Sequence, residues 1–357
     1  MTLIIAEAGV NHNGDERMAF ELVDAAHAAG ADIVKFQTFT AKNLVTSTAP
    51  QANYQALSTG KKESQLSMLS RLELSYDAHR QLASYCEKLG IEFLSTAFDF
   101  EGLRFLAHDL GLKRLKVASG EITNAPFVLE HARSGCDLVV SSGMATLSEI
   151  EAVLGVIAFG FLASPSAQPG KEAFVEAYSS DEGQQILREK VTLLHCTTEY
   201  PAPMSEINLR VMSTLASAFM LPTGYSDHSE GISIPIAAVA RGAVMLEKHF
   251  TLDKTMEGPD HRASIEPNEL KEMVEAVRKV GIALGDGVKR PTASEVGNKL
   301  AARKSIVAAC TIAKGEIFTI DNLTIKRPGN GISPFNYWDM LGKVSVKGYA
   351  AGDLLSE

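Results

Sequence analysis

Eight short β-branched runs, each followed by a stretch of helical length, predict an α/β protein built on a (β/α)8 barrel. Eight is the number of strands that closes such a barrel. An open doubly wound sheet is the alternative, but no G-x-G-x-x-G follows the first run to support it. Near residue 285 the rhythm stops, and the last part of the chain reads as a small β-rich domain.

The strand candidates are residues 3–10, 32–37, 92–98, 114–119, 137–142, 191–197, 222–227 and 244–250. Amphipathic segments lie between them, among them 17–29, 78–89 and 269–284. Helix-start signals agree: Thr146 and Ser148 precede Glu149, and Pro267-Asn268 precedes Glu269. Two insertions interrupt the alternation. Residues 38–74 are polar, with Tyr54, Gln55 and a Lys61-Lys62 pair, and are expected to form a functional cap. Residues 160–190, with Pro165, Pro169 and many small polar side chains, are expected to be a variable surface excursion. The expected organisation is a barrel domain over 1–285, a polar linker over 286–300 and a C-terminal domain over 301–357. In the last, Ala313-Lys314-Gly315-Glu316-Ile317-Phe318-Thr319 is echoed by Ala350-Ala351-Gly352-Asp353-Leu354-Leu355-Ser356, which predicts two like turns with pseudo-twofold character. So short a domain is marginal alone and is expected to pack on the barrel or on a partner subunit.

The 357 residues are 45% hydrophobic and 22% charged, an ordinary globular balance with ample length for a large core. The net charge of -9, with no Lys/Arg-rich block, argues against a nucleic-acid partner. Cys86, Cys136, Cys196 and Cys310 are scattered without CxxC spacing, so they read as buried thiols of a reducing compartment. The apolar start of the chain is short and lacks a basic leader, and no apolar stretch approaches the roughly 18 residues of a membrane span. A cytoplasmic protein without a membrane partner is expected.

Function in a barrel is expected at the C-terminal ends of the strands, and here those ends are polar. The first run holds Glu7 and is followed by Asn11-His12-Asn13-Gly14; the second carries Lys35 and Gln37, two apart and so on one face. Thr96 closes the third run, Lys116, Ser119 and Glu121 follow on the fourth, and Ser141 ends the fifth. The sixth runs into Tyr200, the seventh into Ser226-Asp227-His228, and the eighth into Glu247-Lys248-His249. Any one of these has a plain reading: a strand Lys paired with a Glu, or a His hydrogen-bonded in the core. But Glu7, Lys35 and Lys116 lie inside apolar strands, where an ionised group is costly unless paired. Eight strands sharing the habit predict a polar barrel mouth. His228 and His249, at equivalent places on adjacent strands, can converge on one divalent metal ion. Asp260 reads as a further ligand or base, or as a solvated turn carboxylate. Arg327, in a Gly/Pro loop, is suited to bidentate recognition of carboxylate or phosphate, or is a surface cation.

These residues fall in motifs that resemble bacterial sialic acid (N-acetylneuraminate) synthases almost end to end. They are Ala6-Glu7-Ala8-Gly9-Val10-Asn11-His12-Asn13-Gly14, Val34-Lys35-Phe36-Gln37-Thr38, Lys116-Val117-Ala118-Ser119-Gly120-Glu121 and Ser142-Gly143-Met144. His195-Cys196-Thr197-Thr198-Glu199-Tyr200-Pro201, Tyr225-Ser226-Asp227-His228-Ser229, Glu247-Lys248-His249-Phe250-Thr251 and Lys326-Arg327-Pro328-Gly329-Asn330-Gly331-Ile332-Ser333-Pro334 complete the set. The resemblance implies a TIM barrel followed by a small antifreeze-like (SAF) domain, in a domain-swapped homodimer. It implies an enzyme that condenses phosphoenolpyruvate with N-acetylmannosamine and water to N-acetylneuraminate and phosphate. The alternative is N,N'-diacetyllegionaminate synthesis from 2,4-diacetamido-2,4,6-trideoxymannose. Tyr54-Gln55 and Glu63-Ser64-Gln65-Leu66 resemble these two branches more than the pseudaminic one.

By the same resemblance His228 and His249 hold a divalent ion, Mn2+ first, with Mg2+ or Co2+ as alternatives. Lys35, Lys116, Ser119 and Ser141 surround phosphoenolpyruvate, with Thr96 close by. Glu7, Glu121, Tyr200 and Asp260 lie around the sugar and the metal, Arg327 reaches the acceptor across the dimer, and Gln37 and Ser226 are counted among the binding residues. A substrate bearing phosphate and carboxylate needs cations in an otherwise acidic protein, and Glu7 or Glu121 is expected to handle protons. The rivals are a Schiff-base aldolase using Lys35 or Lys116 and a sugar- or ice-binding protein built on the C-terminal module.

Overall fold

The computed structural model describes residues 1–52, 55–56 and 63–356. The chain divides into two compact units, Met1–Gly285 and Asp286–Glu357. In the first, β1 (Leu3–Gly9), β2 (Ile33–Thr38), β3 (Glu92–Ala97), β4 (Arg114–Val117), β5 (Asp137–Ser141), β6 (Val191–His195), β7 (Thr223–Asp227) and β8 (Met245–His249) form a closed barrel in sequence order. β8 pairs in parallel with β1, which excludes the open sheet. Six strands end one or two residues before the predicted runs, β7 ends with its run at Asp227, and β2 ends one residue beyond its run at Thr38; Ser119–Glu121, next to the expected end of the fourth run, is a 3-10 turn.

Alternation along each strand then sorts the side chains. Ile5, Ile33, Leu94, Val139, Leu194 and Met245 point inward and plug the lower barrel with a dry cluster. Two residues further along the same strands come Glu7, Lys35, Thr96, Ser141 and Glu247. The outward faces carry Ile4, Ala6, Val34 and Phe36 against the apolar stripes of helices Glu16–Ala29, Tyr76–Leu89 and Pro267–Leu284. Each fully buried Val, Ile or Phe side chain there contributes about 1.5–3 kcal/mol of transfer free energy. The helices begin where the sequence offers caps: Asp15, Ser75 and Thr146 accept from first-turn amides, Thr146 in a capping box with Glu149.

The 160–190 segment departs from expectation. Instead of an irregular loop this surface segment forms helices Lys171–Ser179 and Asp181–Lys190, packed on helix Leu147–Leu162. Phe174 meets Phe159 edge-on, with ring centroids 5.3 Å apart. The absence of a side chain at Gly155 admits the Phe174 carbonyl, 2.8 Å from where a Cβ would stand. In the 38–74 insertion, short helices Ala41–Leu44 and Gln65–Ser70 rise over the barrel mouth. Tyr54 and the Lys61-Lys62 pair lie outside the described residues. Cys86, Cys136 and Cys196 are buried, whereas Cys310, expected inside, is exposed because it sits in a surface bend.

The second unit opens on residues 286–300, read from sequence as a polar linker, and this stretch is exposed throughout. Helix Ala293–Ala302 occupies much of it, started by a capping box between Thr292 and Glu295. Beyond it, β9 (Ser305–Ala308) and β10 (Leu323–Lys326) pair antiparallel over a small core of Ile306, Ile312, Phe318, Leu323, Tyr349 and Leu355. The internal repeat is structural. Gly315 and Gly352 take φ of 88° and 91°, the left-handed region that favours glycine. In each copy the acid that follows accepts from the first residue's amide, Glu316 from Ala313 at 2.8 Å and Asp353 from Ala350 at 2.7 Å. Phe318 and Leu355, equivalent in the repeat, share the core.

Candidate active site

Strand register brings the inward polar residues to one level. Glu7 is paired in register with Lys35 and with His249, Gln37 with Thr96, Thr96 with Lys116, and Ser226 with Glu247. Neighbouring strands stand about 4.8 Å apart, so these side chains must interact. Lys35 Nζ lies 2.9 Å from Glu7 Oε2 and 3.5 Å from Glu247 Oε2, and donates to Thr96 Oγ1 at 3.1 Å. Lys116 Nζ lies 3.9 Å from Glu247 Oε1 and donates to Ser141 Oγ at 2.7 Å. Ser226 donates to Glu247 at 2.9 Å, and Gln37 reaches Glu7 at 3.5 Å. Two ammonium groups and two carboxylates thus form an alternating, nearly solvent-free floor on top of the apolar plug.

Above this floor is a cavity of about 380 Å³. Every barrel residue singled out from the sequence lines it: Glu7, Lys35, Gln37, Thr96, Lys116, Ser119, Glu121, Ser141, Tyr200, Ser226, His228, His249 and Asp260. Ser119 accepts from the Gly143 amide at 3.0 Å and lies 3.1 Å from the Cys196 sulfur. Glu121 is half-buried and accepts from Asn124 at 2.8 Å. The cap contributes Leu44, Val45, Gln55, Gln65, Met68 and Leu69. Arg327 belongs to the second unit, exposed, its Nε donating to the Ala302 carbonyl at 3.1 Å.

Burial pushes the Glu7 carboxyl up and Lys35 only partly offsets it, so Glu7 is the floor's proton-holding carboxyl. Burial alone would also raise Glu247, but Lys116 and Lys35 together outweigh it and hold Glu247 ionised. Burial lowers Lys116, which faces one carboxylate, whereas Glu247 and Glu7 overcome the same effect at Lys35 and raise it. Burial raises the Asp260 carboxyl to about 6. Such a site presents fixed cations to a small polyanion and keeps a carboxyl able to exchange a proton near neutrality.

His228 and His249 meet at the rim, ring centroids 5.5 Å apart, with Tyr200 stacked on His228 at 4.0 Å. The Thr197 carbonyl, 2.6 Å from His228 Nδ1, can only accept, so Nδ1 carries the proton and Nε2 keeps its lone pair. Burial holds His228 down at about 4, and burial together with His228 holds His249 well below its ordinary value. His249 Nδ1 is buried without a hydrogen-bond partner among the described residues. Two neutral imidazoles, one with an orphaned nitrogen, fit a divalent ion whose other positions go to water and substrate oxygens. No group of three or more His, Cys, Asp or Glu able to hold an ion occurs among the described residues.

Glu247 is the floor residue that sequence reasoning does not single out as a candidate, although it stands in the polar end of the eighth run and in the motif of residues 247–251. Its signal was there: two residues before His249 on one strand, it shares that residue's face. Lys248 between them points the other way and pairs with Asp227 at 2.6 Å, fully buried.

Residues 22–289 match the NeuB family and residues 303–357 the SAF domain. The chain is 48% identical over 356 residues to the N,N'-diacetyllegionaminic acid synthase of Campylobacter jejuni, covering 100% of this chain and 99% of that one. It is 42% identical to the synthase of that name from Legionella pneumophila, covering 99% and 92%. The crystal structure of the N-acetylneuraminic acid (sialic acid) synthetase of Leptospira borgpetersenii superposes with a TM-score of 0.67 at 32% identity, over 83% of this chain and 90% of that one. No described helix is long and apolar enough to cross a membrane. The chain belongs to the NeuB family of phosphoenolpyruvate-condensing nonulosonic acid synthases, and is a transferase that forms a carbon–carbon bond.

Proposed function

We propose that the chain condenses phosphoenolpyruvate with 2,4-diacetamido-2,4,6-trideoxymannose and water, giving N,N'-diacetyllegionaminate and phosphate. The observation that carries this acceptor is the end-to-end likeness to two N,N'-diacetyllegionaminic acid synthases, at 48% and 42% identity, against 32% to the sialic acid synthetase. N-acetylmannosamine, the first expectation from sequence, becomes the second reading.

Lys35 and Lys116, with the Ser119 and Ser141 hydroxyls, hold the phosphate and carboxylate of phosphoenolpyruvate over the floor. Attack of its C3 on the open-chain aldehyde carbon forms the new bond and leaves positive charge at C2. Glu247, held ionised by its two lysines, stabilises that charge. Water adds at C2, the C2–O bond breaks and phosphate leaves, while the former aldehyde oxygen gains a proton. The proton lost by the water passes to a carboxylate. Burial favours Glu7 for this over the half-buried Glu121, and Asp260 is a second proton-holding group at the rim. His228 and His249 would hold a divalent ion, Mn2+ first, whose chemistry is to polarise the aldehyde oxygen. Supply of Arg327 to the acceptor through a domain-swapped homodimer is part of the same proposal and rests on the resemblance.

A Schiff-base reading finds support in one observation, the lowered amine of Lys116. Borohydride trapping with a carbonyl substrate would reveal it. The test of the main reading is phosphate release from phosphoenolpyruvate with Mn2+, each acceptor offered separately and the product weighed by mass spectrometry. Faster release with the diacetamido sugar supports the proposal; faster release with N-acetylmannosamine overturns the acceptor, and no release with either overturns the reaction.

A further inference from the structure

The cavity is chemically two-sided. Its floor is ionic, whereas its outer wall is apolar: Leu44 and Val45 at the end of helix Ala41–Leu44, and Met68, Leu69 and Leu72 on and beyond helix Gln65–Ser70. Met68 and Leu72 are 2% and 7% exposed and cluster with Val10 and Phe39, so barrel residues anchor the wall. Leu44 and Leu69 pack half-buried on that cluster and line the cavity with their remaining surface.

Chemistry decides which end of the acceptor meets which side. The aldehyde carbon must lie over the floor, where C3 of phosphoenolpyruvate reaches it. An open-chain six-carbon sugar extends away from that point, which brings its C6 end to the outer wall. A hydroxyl set against Leu44 and Leu69 loses its water without gaining a partner, whereas a methyl there covers apolar surface. The amides on this side, Gln55 and Gln65, suit the C4 acetamido group, which both donates and accepts. Resting on the acceptor proposed above, we infer that Leu44 and Leu69 are specificity-determining residues that select the C6 methyl of a 6-deoxy acceptor.

The test uses two acceptors that differ at C6 alone, 2,4-diacetamido-2,4,6-trideoxymannose and 2,4-diacetamido-2,4-dideoxymannose, with N-acetylmannosamine as the reference. kcat/KM is measured for all three with the full-length enzyme, Leu44→Asn and Leu69→Asn, with Leu69→Thr as the milder variant should Leu69→Asn fail to fold. The unaltered enzyme is expected to favour the 6-deoxy sugar by about 10- to 100-fold, the usual range for one small group in an apolar pocket. Each variant should bring that ratio towards one while leaving the KM for phosphoenolpyruvate in place. An unchanged ratio in the variants overturns the assignment. Equal use of both sugars by the unaltered enzyme also overturns it, yet leaves the acceptor reading standing on the acetamido group. A preference for N-acetylmannosamine over both overturns the acceptor reading and this inference together.

Discussion

Replacing Glu247 by Gln would remove the carboxylate that the floor's lysines hold ionised while keeping the shape and the acceptor for Ser226. Glu247 faces Lys35 at 3.5 Å and Lys116 at 3.9 Å. At an effective dielectric of about 20 each pair attracts by roughly 4–5 kcal/mol before desolvation is counted. Lys35 would still have Glu7 at 2.9 Å, but Lys116 would have no carboxylate within ion-pair distance among the described residues. Breaking a buried pair by removing one partner costs about 3–5 kcal/mol, so Glu247→Gln should lower the barrel's Tm by on the order of 5–10 °C at pH 7. The pH dependence follows from Lys116, already lowered by burial and lowered further without Glu247. Over the window between its folded and unfolded values the unfolded chain binds the extra proton, so stability rises with pH there. The variant's deficit should therefore shrink from pH 7 towards pH 9.5 in thermal unfolding followed by circular dichroism. Phosphoenolpyruvate should raise the variant's Tm more than the parent's, because an anion now meets an uncompensated cation. A Tm within a degree of the parent's at every pH would refute the charge ledger of the floor.

The remaining predictions concern single groups. His249→Ala should keep the fold and abolish activity, as a chelator should in the parent; full activity in either case would remove the metal assignment. Asp260 has a folded value of about 6 against 3.8, so its stabilising contribution is present below pH 3.8 and lost as pH rises through 6. Asp260→Asn should thus gain up to about 3 kcal/mol on the parent between pH 4 and pH 8 in denaturant titrations; a gap that does not change with pH would contradict the burial argument. Arg327→Ala should raise the acceptor KM at least about tenfold with the KM for phosphoenolpyruvate unchanged, as for loss of one charge-assisted contact; wild-type kinetics would make Arg327 a surface cation.

The barrel and most of its site were legible because two periodicities are simple. Glu7, Lys35 and Lys116 stood out as charges inside apolar strands, and alternation put them inside the barrel with the polar strand ends. The repeat in the second unit was legible because its glycines and following acids build the same turn twice. Other features hid behind strong local signals. Pro165, Pro169 and small polar residues suggested a loop, yet Phe174, Tyr178 and Leu187 were spaced to pack against helix Leu147–Leu162. Pro291 and Gly297 hid the helix within the linker stretch, although Thr292 and Glu295 already spelled a capping box. The apolar wall could not be read at all, because its residues come from two short segments that only the folded cap sets side by side.

The acceptor is the central claim, and direct competition tests it most sharply. Equal concentrations of N-acetylmannosamine and 2,4-diacetamido-2,4,6-trideoxymannose are mixed with limiting phosphoenolpyruvate, and the ratio of the two nonulosonic acids is read by mass spectrometry. That ratio equals the ratio of the two kcat/KM values. A product pool dominated by N,N'-diacetyllegionaminate is the predicted result, and one dominated by N-acetylneuraminate would contradict the account.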